Sequence, residues 1–106
     1  MPPVLNDKCP LGFVGGTGAF PTGVGFDLRR IHRTFTFMKT ITGVFSALVV
    51  NYEGSMDGNN WYQIGTDNTT AAGATFIADK PCRYVRANIT TFTGGTGVAV
   101  DLLPSE

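Results

Sequence analysis

Alternation of apolar and polar side chains is the feature that most limits what this chain can fold into. In the stretch LRRIHRTFTFMKTIT, residues 28–42, apolar side chains fall on odd-numbered positions: Ile31, Phe35, Phe37 and Ile41. A period of two is that of a β-strand with one buried face. Because the run is longer than most strands, we expect a bulge or bend near Arg33 or Lys39.

Further strand-length segments follow, separated by turn residues. VFSALVVNYEGS, residues 44–55, is apolar on both faces in its middle, which predicts that both faces are covered. DGNN then predicts a hairpin turn, and CRYVRANITTF and VAVDLLP are two later strands joined by TGGTG. No segment offers ten residues of helical periodicity. The pattern predicts an all-β fold, an antiparallel, jelly-roll-like β-sandwich over residues 28–106.

The first 27 residues differ from the rest. In PLGFVGGTGAFPTGVGF, single aromatic residues stand between glycines and no period is sustained. Because glycine-rich backbone is costly to order, we expect residues 1–27 to form an extended arm or a set of loops. Phe13, Phe20 and Phe26 are the residues expected to hold this arm against its own domain or against a partner protein.

Composition excludes several classes of function. Eight basic and eight acidic side chains cancel, so the electrostatic signature of a nucleic-acid-binding protein is missing. No apolar run reaches the length of a membrane span, and the N-terminus carries no secretory signal, which predicts synthesis in a host cytoplasm. Cys9 and Cys82 are compatible with one disulfide or with two free thiols.

Residues for catalysis are missing from the sequence. His32 is the single histidine and lies between arginines, where we expect a solvent-exposed strand residue rather than part of a catalytic triad. Neither cysteine belongs to a metal-binding pair, and no carboxylates cluster. The glycines of residues 15–25 precede no helix and no lysine, unlike a phosphate-binding loop. We therefore expect no enzyme activity, no metal and no cofactor.

Two surface features are candidates for binding. Arg29, Arg30 and Arg33 form a basic cluster that could contact an acidic protein surface or simply face solvent. The turn EGSMDGNNWYQIG, residues 53–65, could bind a sugar by stacking it on an aromatic ring and bonding its hydroxyls. It could equally be a hairpin that packs its tryptophan. The residues of this turn in question are Asp57, Asn59, Asn60, Trp61 and Tyr62.

A resemblance to known proteins covers residues 44–103. EGSMDGNNWYQIG followed by KPCRYVRANITTFTGGTGVAVDL resembles small β-sandwich structural proteins of tailed bacteriophages. The S-x-D-G-x-x-W turn is also similar to that of discoidin-like, galactose-binding sandwiches. In such folds the tryptophan of this turn is commonly structural.

The resemblance implies a non-enzymatic virion protein. Its expected role is that of a capsid decoration or cement protein, which bridges subunits of the major capsid protein and associates with copies of itself as a dimer or trimer. Contacts would come from Phe13, Phe20 and Phe26 and from the basic cluster. The alternatives are a carbohydrate-binding β-sandwich module that uses the Asp57–Tyr62 turn, or a tail or fibre accessory protein.

Overall fold

A computed structural model describes residues 9–21 and 25–105 of the chain. In this part of the chain the regular elements are all strands. They are, in order, β1 (Cys9–Val14), β2 (Gly18–Phe20), β3 (Phe26–His32), β4 (Thr34–Thr42), β5 (Ala47–Ser55), β6 (Trp61–Asp67), β7 (Gly73–Ile77), β8 (Cys82–Thr93) and β9 (Gly97–Ser105).

The strands form two antiparallel sheets. A four-stranded sheet has the order β1-β9-β4-β7. A five-stranded sheet has the order β2-β8-β5-β6. Its fifth strand, β3, also pairs with β8, next to the part of β8 that pairs with β2. Apolar side chains from both sheets are buried in one core. The prediction of an all-β sandwich is confirmed.

The long alternating stretch of the sequence is two strands in different sheets. The break comes at Arg33, where it was expected: β3 belongs to the five-stranded sheet and β4 to the four-stranded one. The pairing of β3 with β8 shifts register between Asp27 and His32, and Arg29 has a positive φ of 74°. In β3 the buried side chains, Leu28 and His32, fall on even-numbered positions, whereas in β4 they fall on odd-numbered ones. As a result Ile31 is 49% exposed and His32 is buried. The expectations of an inward Ile31 and a solvent-exposed His32 are therefore wrong.

The centre of the core is aromatic and lies between β4 and β5. The Phe37 and Tyr52 rings stack with their centroids 4.1 Å apart and an interplanar angle of 11°. Strand β5 lies between β8 and β6; Leu48, Val50 and Tyr52 are buried, and the residues that alternate with them from Ala47 to Glu53 are half-buried. Cys82 is a buried free thiol, and burial raises its pKa to about 12.

The N-terminal segment is part of the sandwich wherever the structure describes it. Strand β1 pairs with β9 and strand β2 with β8, so the segment contributes an outer strand to each sheet. Phe20 is 4% exposed and belongs to the core. The description as a separate arm does not hold for residues 9–14 and 18–20, because backbone pairing compensates for their high glycine content. Residues 1–8 and 22–24 of the expected arm lie outside the described residues.

Candidate functional site

The turn between β5 and β6 is organised around one carboxylate. Asp57 Oδ1 accepts hydrogen bonds from the backbone N–H groups of Asn59 and Asn60, at 2.8 and 2.9 Å, and from the Ser55 hydroxyl at 3.0 Å. Its Oδ2 accepts from Asn60 Nδ2 at 2.7 Å. These bonds, led by the two from backbone N–H groups, hold the pKa of Asp57 far below its usual value. Asp57 and the Asn60 amide are thus used inside the turn.

Trp61 packs on the outer face of the five-stranded sheet, outside the core between the sheets. The Arg86 guanidinium lies over its ring, with Cζ 4.3 Å from the ring centroid. Arg86 Nε also donates to Glu53 Oε1 at 2.6 Å. Gly25 lies against the ring so closely that a Cβ there would come within 2.5 Å of a ring carbon. A sugar could not stack on the ring face that Arg86 covers.

Two further residues of the turn have different surroundings. Asn59 is exposed. Tyr62 is 41% exposed, and its hydroxyl donates a hydrogen bond to the Pro81 carbonyl oxygen at 2.8 Å.

The residues expected to contact a partner protein are spread over the molecule. Phe13 is 61% exposed on the four-stranded sheet, whereas Phe26 is half-buried against the core from the other sheet. Arg29 and Arg30 are exposed in the middle of β3, and Arg33 is exposed just after its end. Arg33 forms an exposed ion pair with Asp79 at 3.5 Å. These arginines lie in and just after a strand of the five-stranded sheet, whereas Phe13 lies on the four-stranded sheet.

An open cavity of about 440 Å³ lies under the loop between β6 and β7. Its walls are hydroxyl, amide and small side chains and one carboxylate: Thr66, Asp67, Asn68, Thr69, Ala71, Ala72, Gly73, Ala74 and Thr75. The sequence marks this stretch, TDNTTAAGA, only as a polar loop of small residues. The cavity could not be found from sequence because its shape depends on how β6 and β7, which belong to different sheets, approach each other.

A buried lysine of the four-stranded sheet binds the start of the loop between β6 and β7. Lys39 extends inward from β4 with its side chain fully buried, and its Nζ lies 3.1 Å from Asp67 Oδ1. It also donates to the Thr69 carbonyl oxygen at 2.6 Å and to the Thr69 hydroxyl at 3.0 Å. Lys39 has the same parity as Phe35 and Phe37, so its inward position follows from the alternation. Its partners could not be read from the sequence.

The charge of Asp67 is balanced within this cluster. Burial alone raises the pKa of Asp67, but hydrogen bonds from the Thr69 backbone N–H and hydroxyl, and then from Lys39, outweigh it. The pKa is therefore lowered from its usual value, and the carboxylate is ionised at neutral pH. Tyr52 lies nearby, and its pKa is raised by burial and then by the charge of Asp67.

The described residues contain neither a candidate metal site nor a candidate membrane-spanning helix. Within residues 9–21 and 25–105, no group of three or more His, Cys, Asp or Glu side chains could hold a metal ion. The same part of the chain holds no helix long and apolar enough to cross a membrane.

Comparison with known proteins identifies similar folds. No family model and no curated protein matches the chain. Among solved structures, it is similar to the SPBc2 prophage-derived protein YomS, with a TM-score of 0.63 and 10% identity over 93% of this chain and 92% of that one. The C-terminal domain of a chitobiase from Bacteroides fragilis matches with a TM-score of 0.55 and 14% identity, over 96% of both chains. CBM32-3 of a family 31 glycoside hydrolase from Clostridium perfringens matches with a TM-score of 0.56 and 10% identity, over 95% of this chain and 77% of that one.

Proposed function

We propose that this protein is a non-catalytic carbohydrate-binding β-sandwich domain and that its sugar occupies the cavity of residues 66–75. The observation that carries the proposal is the chemistry of that cavity. Its volume of about 440 Å³ is within the range of small-molecule sites. Asp67 is the one charged side chain among its lining residues, and Lys39 already pairs with it. What remains are neutral hydrogen-bonding groups, which suit a hydroxyl-rich, uncharged ligand.

The similar structures support the same class of ligand. The chitobiase domain and CBM32-3 both belong to enzymes that act on glycans. Their identities of 14% and 10% relate the folds and leave the binding surface to be tested. The tryptophan turn is the weaker site, because Asp57, Asn60 and Trp61 are committed to contacts within the chain.

A glycan array followed by calorimetry tests the proposal. The key variants are Ala72→Trp, which fills the cavity, and Asn68→Ala, which removes an amide from its wall. The matched control is Asn59→Ala, which removes an exposed amide from the tryptophan turn. We expect a sugar to bind the wild-type protein and the control, and binding to be lost in Ala72→Trp and weakened in Asn68→Ala. Loss of binding in Asn59→Ala alone would move the site to the turn, and no binding to any glycan would refute the function.

A second candidate function is capsid decoration, and its support is the similarity of the fold to that of a prophage-derived protein. YomS is described as prophage-derived, and the two chains match over nearly their full lengths. On this proposal the protein is a virion component that binds the major capsid protein, with Phe13 and the basic cluster as contacts. Particles purified from the producing culture should then contain the protein by mass spectrometry, and immunogold labelling should fall on heads rather than tails or fibres. A triple variant, Arg29→Glu/Arg30→Glu/Arg33→Glu, should fold but be missing from the particles.

A further inference from the structure

The outer faces of the two sheets differ in chemistry. The five-stranded sheet carries the Glu53–Arg86 ion pair, with Asn88 bonded to the same glutamate. In the four-stranded sheet, inward positions of β4 and β9 fill the core, so the intervening residues face outward. This outer face includes, among the described residues, Phe13, Thr34, Thr36, Met38, Thr40, Ala74, Phe76, Ala99, Asp101 and Leu103.

The outer face is nearly free of charge and exposes large apolar side chains. Asp101 is the one charged residue among those just named, and it is engaged in an interaction within its own chain. Phe76 is 67% exposed, Phe13 61% and Met38 38%. An exposed apolar patch on a sheet is a common mark of a protein-binding surface.

The two phenylalanines lie at opposite corners of the outer face. Phe13 is level with Ala99 and Thr40 across the sheet, and Phe76 is level with Thr36 and Leu103. They are three strands apart, about 14 Å, and four residues apart along β4, about 13 Å. The midpoint of the diagonal is therefore the Met38–Asp101 pair on the two central strands.

We propose that the outer face of the four-stranded sheet binds a second copy of this chain in a twofold-symmetric dimer. A twofold axis through the Met38–Asp101 pair, in the plane of the interface and perpendicular to the diagonal, places Phe13 of each copy on Phe76 of the other. Such reciprocal contacts define an isologous interface. Because the diagonal runs at about 45° to the strands, the strands of the two copies cross at about 90°, which is one of the two preferred arrangements of packed sheets.

The size of the outer face indicates a weak dimer. Four strands make a face about 19 Å wide, so two crossed faces bury on the order of 1,000 Å² in total, near the lower limit for a specific contact. The dimer should therefore dissociate on dilution. The outer face shares Ala74 with the lining of the proposed sugar cavity, and the other eight lining residues lie outside the face.

Disulfide trapping tests the proposed pairing directly. In a Cys9→Ser background, a mass-tagged Phe13→Cys variant is mixed with an untagged Phe76→Cys variant and oxidised. The expected product is the mixed dimer, formed well ahead of either self-linked dimer. The matched control is Val44→Cys, which places a thiol on a side chain that is 88% exposed and lies in the loop between β4 and β5. If the mixed Phe13→Cys/Phe76→Cys dimer forms no faster than the dimer of Val44→Cys, the proposed pairing is wrong.

Sedimentation equilibrium from about 10 to about 500 µM gives a second, independent measurement. The wild-type protein should shift from monomer to dimer over this range. Met38→Glu, which buries a charge at the centre of the interface, should raise the dissociation constant at least about tenfold. Gln63→Glu adds the same charge on the other sheet and should leave the constant unchanged. A wild-type protein that stays monomeric at the highest concentration, or a Gln63→Glu effect equal to that of Met38→Glu, would refute the proposal.

Discussion

Replacing Lys39 with methionine should destabilise the fold strongly. The side chain of Lys39 is fully buried and that of Asp67 is 7% exposed, so the substitution leaves a buried carboxylate without its cation. Breaking a buried ion pair in this way costs about 3–5 kcal/mol. Asp67 keeps its hydrogen bonds from the Thr69 backbone and hydroxyl, at 2.9 and 2.7 Å. We therefore expect a loss near the lower end, about 3 kcal/mol, in the free energy of unfolding.

Urea unfolding of four proteins measures this effect. They are the wild type, Lys39→Met, Asp67→Leu and the double variant Lys39→Met/Asp67→Leu. Replacing both partners of a buried pair by apolar residues is often neutral, so the double variant should be more stable than either single one, and the double-mutant cycle should give a coupling of about 2 kcal/mol or more. If Lys39→Met costs less than about 1 kcal/mol, the pair behaves like a surface ion pair and the reasoning about its burial fails.

Two further predictions concern the polar surface. The pKa values of Asp57 and Asp67 are lowered in the folded protein. Their ionised forms therefore stabilise the fold fully at a pH well above the ordinary carboxyl pKa of 3.8, and this stabilisation is lost as the pH falls below that value. Melting temperatures should be flat from neutral pH to about pH 5 and fall below about pH 4, with a shallower fall in Asp57→Asn. Trp61→Ala should cost about 2 kcal/mol by urea unfolding, because the ring is half-buried and loses its contact with Arg86. A cost in the range of about 3–5 kcal/mol would mean that Trp61 behaves as a fully buried core residue.

The parts of the fold that depend on local pattern could be predicted from the sequence. The inward residues of β8 and β9 follow directly from alternation, and Val85, Ala87, Val98 and Val100 are all buried as expected. The break in the long alternating stretch could also be predicted, because strand length is limited. The assignment of β3 and β4, on either side of Arg33, to different sheets could not be predicted, because it depends on the tertiary structure.

The sites were harder to predict because they depend on partners far apart in the chain. Trp61 was recognised as a packing candidate, but its contact Arg86 is 25 positions away and faces it only because β5 lies between β6 and β8. Lys39 and Thr69 are 30 positions apart, and their contact joins two sheets. The N-terminal strands were missed for a similar reason: their glycines carry no periodic signal, and backbone pairing with β8 and β9 determines their structure.

The two halves of the loop between β6 and β7 differ in how firmly they are held. Asp67 and Thr69, at its start, are tied to Lys39, whereas Ala71 and Ala72 are small and exposed. Residues inserted after Ala71 should therefore leave the contacts of Lys39, and the hydrogen bond from the Thr69 hydroxyl to the Ala71 carbonyl oxygen, in place. The second half of this loop is therefore a position at which a randomised segment could be displayed on an unchanged scaffold, because Lys39 holds the start of the loop in place.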